Sequence, residues 1–424
     1  MRLIYTAIFI LKLTMAFPLL ALTSLSMDVN AESAVLINGV TGKILFEKEA
    51  HTKRSPASIT KIATAIFTLL VASDKLDELV TADYDSVAWV SVAEKKRSNY
   101  SIPAYWLEPG YSNISLKKGE VLSLRDLFYG MMLVSGDDAS NLIAKHVGGT
   151  VPQFMAGLNA YLQKIGCKNT LFSNPHGLYH PDHYTTAYDM AILTKEALKN
   201  PLFREVIKTT RYTRPKTNLQ EATTWIQTNK LLLRGKYYYP HAIGGKTGYI
   251  QAAQNTIVAA AEKDGRLLIA ALLKTKERRE MFIDTAKLFE IAFNEPKVER
   301  VLFKEGPQTF TYVSPVAATP VTTVLENDVV VSYYPSEEPT LSCKLIWDEI
   351  KFPLKAGERV AELLITSTEG DYTHRVELKA GADVDTSWLY YVTHLFDSWS
   401  PVRLLAAAAL IITITVGILA RRRF

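Results

Sequence analysis

Cysteine is nearly absent from this chain of 424 residues. There are two, Cys167 and Cys343. They fall in stretches of different character and read as two buried free thiols rather than a disulfide framework. Histidine is also sparse, and the spacing of the eight histidines matches no metal-ligand pattern. Low-complexity segments and internal repeats are missing, which sets aside disordered and solenoid classes. Charge of one sign is missing from the body of the chain. The formal net charge is +5, but Arg2 and Lys12 against Asp28 at one end, and Arg403, Arg421, Arg422 and Arg423 at the other, account for it. A middle portion near neutrality lacks the basic face that nucleic acid demands, so no nucleic-acid partner is expected.

Long apolar runs occur at the two ends. Residues 1–27 have a charged start at Arg2 and a mostly apolar body that Lys12 interrupts. Val29-Asn30-Ala31 then ends in a small residue. This reads as a secretory signal over 1–31. Residues 404–420 form an apolar run that would span about 25 Å as a helix, at the short end for a membrane crossing. Arg421, Arg422 and Arg423 follow it, and positive-inside logic places this tail, 421–424, in the cytoplasm. The juxtamembrane stretch 386–403 carries Trp388, Tyr390, Tyr391, Phe396 and Trp399, the aromatic composition of a membrane interface. The expectation is a single-pass protein of the cytoplasmic membrane, with its bulk on the extracytoplasmic side.

Between the ends, the chain is organised around Ser58-Ile59-Thr60-Lys61. Residues 62–71 are apolar on nearly every side, as in a helix buried in a core, and Pro56 and Ser58 suit its start. Residues three apart share a helix face, so Lys61 lies within reach of the Ser58 hydroxyl. A serine becomes nucleophilic when a neighbouring base takes its proton. Lysine can be that base once burial and the helix N-terminus disfavour its charge.

Around this stretch the pattern predicts a hairpin over 34–47 and an irregular aromatic segment over 84–113, read as a surface loop rather than a lid. Helices are expected over 124–133, 139–146, 151–165 and 186–199. A strand opens at Ile243, a hairpin turns at Asp264-Gly265, and a helix over 281–293 closes the domain. Residues 297–385, rich in Val and Thr with short alternating runs, read as a small all-β domain.

Two more short motifs follow the first in order: Ser135-Gly136-Asp137 in a loop and Lys246-Thr247-Gly248 on a strand. This triple is that of serine penicillin-recognising enzymes. The strings PASITK (56–61), DLFYGMMLVSGDDA (126–139), NPHGL (174–178), TTAYDMA (185–191) and NKLL (229–232) resemble the low-molecular-mass D-alanyl-D-alanine carboxypeptidases, exported penicillin-binding proteins anchored at the C-terminus. The resemblance covers roughly 33–295, within a catalytic domain over 32–296. It implies an α+β fold of the serine β-lactamase/D,D-peptidase type: an antiparallel sheet packed by helices, a helical subdomain, and the site between them. A small all-β domain and a C-terminal transmembrane helix would follow.

The resemblance also implies roles. Ser58 is the acylated nucleophile, Lys61 its base, and Ser135 a proton relay to the leaving amine. Asp137 belongs to the substrate-binding motif. Lys246 and Thr247 bind the terminal carboxylate, and Gly248 lets substrate lie along the strand edge. The backbone N–H groups of Ser58 and Tyr249 form an oxyanion hole. Arg278 or Arg279 would add a carboxylate-binding arginine. The partners implied are peptidoglycan stem peptides and β-lactam antibiotics, with no cofactor and no metal. Two departures stand out: Asp137 where asparagine is usual, and Ile243 where aspartate is usual three residues before the motif lysine. His176 reads as a loop brace. A β-lactamase reading would draw on Glu196 in EALKN (196–200), a string attributed to chance inside a helical run. A D,D-endopeptidase using the same serine also fits the motifs, and so, in a different class, does a catalytically dead membrane scaffold.

Overall fold

The computed structural model describes residues 12–13, 25–368 and 372–394. Most of the expected secretory segment, 1–31, and the whole of the 404–420 run lie outside the described residues. The chain divides into two compact units, one of which holds residues 21–296 together with Tyr334–Glu337.

That unit is built on a five-stranded antiparallel sheet, in the order Ile44–Lys48, Ser33–Asn38, Arg266–Thr275, Gln254–Lys263, Ala242–Ile250. Successive strand residues point to opposite faces, and here both faces are buried. Val35, Ile37, Val258, Ala260, Leu267, Ile269 and Ala271 join a core with the helices Lys61–Ala72, Leu124–Leu133, Asp137–Gly148, Val151–Lys164 and Ala187–Ala197. Their neighbours Ala34, Leu36, Ile257, Ala259, Leu268, Ala270 and Leu272 pack on Met281, Phe282, Leu288 and Phe289 of the helix Arg278–Phe293. Double-sided burial explains why these strands read as near-continuous apolar runs.

The helix boundaries follow local chemistry. Ser123 and Asp126 form a reciprocal capping box before Leu124–Leu133. Thr150 and Thr186 cap Val151–Lys164 and Ala187–Ala197 through their hydroxyls. The sequence reading missed the helix Pro201–Lys208, the ribbon of Arg211–Arg214 with Thr223–Ile226, and the short pair Leu79–Thr81 with Val121–Ser123.

Val29 and Ala31, where the sequence reading ends the secretory segment, are buried in this unit, and Asn30 binds Asp284 through its backbone N–H at 2.6 Å. Tyr334–Glu337 is likewise part of this unit although it lies well past 296. Arg266 donates to Glu337 at 2.7 Å and to Glu295 at 3.1 Å, and its guanidinium stacks 3.7 Å from the Tyr334 ring centroid. A charge buried this deeply is tolerated because it is paired and hydrogen-bonded.

The second unit, described over 297–333, 338–368 and 372–394 with Lys12 and Leu13, is dominated by strands. Leu341–Trp347, Arg359–Ser367, Thr373–Ala380, Val321–Leu325 and Gly306–Tyr312 pair in that order, and Lys12–Leu13 pairs with the outer edge of Leu341–Trp347. Val298–Phe303 pairs separately with Val329–Tyr333. The inward residues Leu345, Leu363, Ile365 and Leu378 form its core. Cys343 is half-buried in this unit, Cys167 is buried in the other, and both are free thiols.

Candidate active site

Ser58 sits on a 3-10 turn, Ala57–Thr60, that runs directly into the helix Lys61–Ala72. The sequence reading placed it at the start of the α-helix itself, and the tighter turn holds the same i, i+3 alignment. Lys61 Nζ lies 3.0 Å from Ser58 Oγ. The turn is clamped from several sides. Thr60 Oγ1 donates to Ala57 O at 2.9 Å, Thr256 Oγ1 donates to Pro56 O at 2.9 Å, and Thr64 Oγ1 donates to Pro175 O at 2.6 Å. Ala57 has a φ of +53°, an uncommon conformation for a residue with a side chain. Gly177 presses on it: a Cβ there would stand 2.0 Å from Ala57 O, so only glycine fits. The NPHG string is therefore part of the nucleophile's support.

Lys61 is fully buried and has three neighbours for its amine: Ser58 Oγ, Asp137 Oδ1 at 2.6 Å and His176 O at 2.8 Å. Burial pulls its pKa below the ordinary 10.5, and the Asp137 carboxylate pulls the other way. Asp137 is buried too, and burial pushes its carboxyl above the usual range against the opposing field of Lys61. His176 braces its loop, as the sequence suggested. Leu178 N donates to its Nδ1 at 3.1 Å, so Nε2 carries the proton and donates to Tyr105 O at 3.0 Å. Burial holds this ring well below 6.5, which makes it neutral. Its backbone carbonyl, which the sequence reading did not single out, is what orients Lys61.

Ser135 occupies the left-handed region at φ +66° in the loop before the helix Asp137–Gly148. A serine held there is strained, and such strain collects where geometry must be fixed. Lys246 Nζ donates to Ser135 Oγ at 2.9 Å and to Thr247 O at 3.0 Å. Lys246 is buried, and burial together with the Lys61 charge lowers its pKa well below 10.5. It lies on Ala242–Ile250, the edge strand of the sheet, whose outward N–H and C=O groups have no strand partner among the described residues. A Cβ at Gly248 would stand 2.7 Å from Ser58 N and 2.6 Å from Thr256 Oγ1, so this edge runs against the nucleophile turn. Thr247 is buried, whereas Tyr249 is 64% exposed and belongs to the edge through its place on the strand. Thr228 Oγ1 lies 3.3 Å from Thr247 Oγ1. The sequence reading missed Thr228, although it adjoins the NKLL string.

Ser58, Lys61, Ser135, Asp137, Lys246, Thr247, Gly248 and Tyr249 thus converge from three segments. The arrangement supplies an activatable hydroxyl, a buried amine beside it, and a second hydroxyl–amine pair along a strand edge. Arg278 and Arg279 are exposed at the start of the helix Arg278–Phe293, and neither bonds to this group among the described residues.

The segment 84–113 differs from the surface loop expected. It holds two short helices, Tyr84–Val87 and Val92–Arg97, and is tied into the site. Tyr105 O also accepts from Asn141 Nδ2 at 2.8 Å, and Ser112 O accepts from Asp137 N at 2.7 Å. Lys95 is buried and pairs with Glu108 at 3.1 Å. Just beyond, Asp138 accepts from the backbone N–H of Ile114, Leu116 and Ala139, and burial still pushes its carboxyl up to about 6. Backbone carbonyls and N–H groups do most of this tying, and side-chain patterns do not reveal them.

Comparison with known proteins gives the same direction. The profile of the D-alanyl-D-alanine carboxypeptidase family, peptidase S11, matches residues 21–277. The chain is 31% identical over 292 residues to D-alanyl-D-alanine carboxypeptidase DacF of Bacillus subtilis, covering 66% of this chain and 69% of that one. It is 27% identical over 348 residues to DacD of Salmonella typhimurium, covering 79% and 82%. Among solved structures, the Streptomyces K15 DD-transpeptidase is similar with a TM-score of 0.54 at 30% identity, over 63% of this chain and 99% of that chain. The DacD crystal structure from Francisella tularensis shares the fold with a TM-score of 0.57 at 24% identity, over 87% and 96%.

Proposed function

We propose a working mechanism from one premise: the chain belongs to the D-alanyl-D-alanine carboxypeptidase family. Its activity is that of a serine-type D-alanyl-D-alanine carboxypeptidase, which removes the terminal D-Ala from peptidoglycan stem peptides and is acylated by β-lactams. The observation that carries the assignment of roles is the 3.0 Å approach of Lys61 Nζ, fully buried, to Oγ of the partly exposed Ser58.

In our reading the substrate lies along the Ala242–Ile250 edge with its terminal carboxylate on Lys246 and Thr247. Lys61, in its neutral form, takes the Ser58 proton as Oγ attacks the carbonyl carbon. The N–H groups of Ser58 and Tyr249 receive the developing oxyanion. The C–N bond breaks as the departing amine takes a proton by way of Ser135, which Lys246 orients. Water then hydrolyses the ester on Ser58.

Product analysis tests this reading. A pentapeptide ending in D-Ala-D-Ala should release D-Ala with the purified enzyme, and faster than a cross-linked dimer is cut. Cleavage of the dimer alone would make the enzyme a D,D-endopeptidase. The β-lactamase reading loses its main support, because Glu196 pairs with Lys199 at 2.6 Å on the helix surface. The inactive scaffold has no support from a pocket that keeps both serine–lysine pairs.

The family works in the bacterial envelope, and we place this chain there, anchored by 404–420 with the catalytic unit outside the cytoplasmic membrane. Among the described residues one helical stretch is long and apolar enough to cross a membrane, Ala57–Lys75, and it is the helix that carries Ser58 and Lys61 inside the core. The anchor is therefore read from sequence. A protein ending near Trp388 should leave the membrane fraction, and protease added outside spheroplasts should digest the catalytic unit. Protection of that unit would invert the orientation.

A further inference from the structure

We propose that Asp137 sets the protonation state of Lys61, and with it the pH range over which Ser58 is acylated, by holding a carboxylate against the base where an asparagine is usual. This rests on the reading of Lys61 as the base.

The geometry separates two states of the amine. A protonated Lys61 has three N–H groups, and three acceptors are in place: Asp137 Oδ1 at 2.6 Å, His176 O at 2.8 Å and Ser58 Oγ at 3.0 Å. In that state Ser58 only accepts, and its proton has nowhere to go. A neutral Lys61 has two N–H groups and one lone pair. Asp137 and His176 O then take both N–H groups, and the lone pair faces Ser58 Oγ. Asp137 is thus a positioning residue in both states, and its charge favours the idle one. When the competent state reacts, Lys61 takes the hydroxyl proton as the Oγ–C bond forms. That proton is returned to the amine nitrogen as the C–N bond breaks.

Several other charged or titratable groups bear on Lys61. Asp138, on the same helix as Asp137, favours the charged amine, while Lys246 on the edge strand disfavours it. From the 84–113 segment, Glu108 and Tyr111 face Asp137, and Lys95 is paired to Glu108. His176 and His183 beneath are neutral at ordinary pH, since burial lowers both. Asp137 is the one in direct contact. Its side chain is 4% exposed and that of Lys61 is 0%, so solvent screens the pair little. With ~4 Å taken between the two charge centres, a unit charge shifts its partner by between about one and three pH units, as the effective dielectric falls from that of water to ~20. Asparagine would present the same Oδ1 to Lys61 without the charge.

The test is the pH dependence of acylation by a fluorescent penicillin, for the full chain and for Asp137→Asn. The acid limb of the variant should move down by about one to three units. Below the wild-type limb its acylation should be at least tenfold faster, because each unit changes the neutral fraction of Lys61 tenfold. Asp137→Ser, also uncharged, gives the same direction of shift and serves if the asparagine variant fails to fold. A limb that stays put overturns the proposal. A limb that moves up overturns it differently, since it would make Asp137 a proton acceptor itself. Failure of the underlying reading looks different again: the wild type would take no label, or would keep it when Ser58 is replaced.

Discussion

Replacing Ser58 by alanine should abolish the penicillin adduct and slow D-Ala release by a factor on the order of 10⁴ or more. The expected effect is large because Oγ is the atom that would carry the acyl group, and no neighbour can substitute. Lys61 is held by Asp137 and His176 O with its amine confined to the pocket floor, and Ser135 is engaged by Lys246. Intact-mass measurement after penicillin should show one adduct on the wild type and none on the variant. The variant should stay folded, since the hydroxyl removed is one of three contacts of the Lys61 amine and the other two are buried and unchanged. Circular dichroism checks that. An adduct that persists in Ser58→Ala would move the nucleophile elsewhere and dissolve the roles assigned to Lys61 and Asp137 with it.

The parts of this site that are legible in the sequence are those where chemistry is carried by side chains in short, local patterns. Ser58 and Lys61 fall one turn apart on any helical geometry. Double-sided burial leaves the strands 254–263 and 266–275 as apolar runs joined by Asp264-Gly265. What the sequence hides is carried by backbone atoms or by contacts between distant segments. The His176 and Tyr105 carbonyls, the Asp138 carboxylate bound to backbone N–H groups, and the Gly177 contact on Ala57 leave no periodic trace. The segment 84–113 reads as decoration because its composition is that of a loop. Its anchors, Ser112 O on Asp137 N and Lys95 on Glu108, appear only in three dimensions. The placement of Tyr334–Glu337 with the catalytic unit is a similar case, since it depends on Arg266, about seventy residues earlier in the chain.

Converting the C-terminal carboxylate of a D-Ala-D-Ala peptide to its amide should lower kcat/KM by roughly 10²- to 10⁴-fold. Lys246 Nζ spends two hydrogen bonds on Ser135 Oγ and Thr247 O, which leaves one donor for a ligand. Thr247 adds a hydroxyl, and Thr228 lies within 3.3 Å of it. The lysine is buried, and burial already disfavours its charge; Asp137 favours that charge but is hydrogen-bonded to Lys61, so an arriving carboxylate brings a counter-charge in direct contact. An amide brings none. It leaves the buried ammonium without a directly bonded counter-charge, and that penalty is larger than the loss of one ordinary hydrogen bond. The linkage has a sign that can be checked. Because the free enzyme holds the Lys246 pKa below 10.5 and a bound carboxylate raises it, binding takes up a proton. Affinity for the carboxylate substrate should therefore fall as pH rises through the lowered pKa of the free enzyme, whereas affinity for the amide should not. Equal kcat/KM for the two peptides would remove Lys246 and Thr247 from carboxylate recognition. Ser135 positioning would then be the remaining role for the lysine.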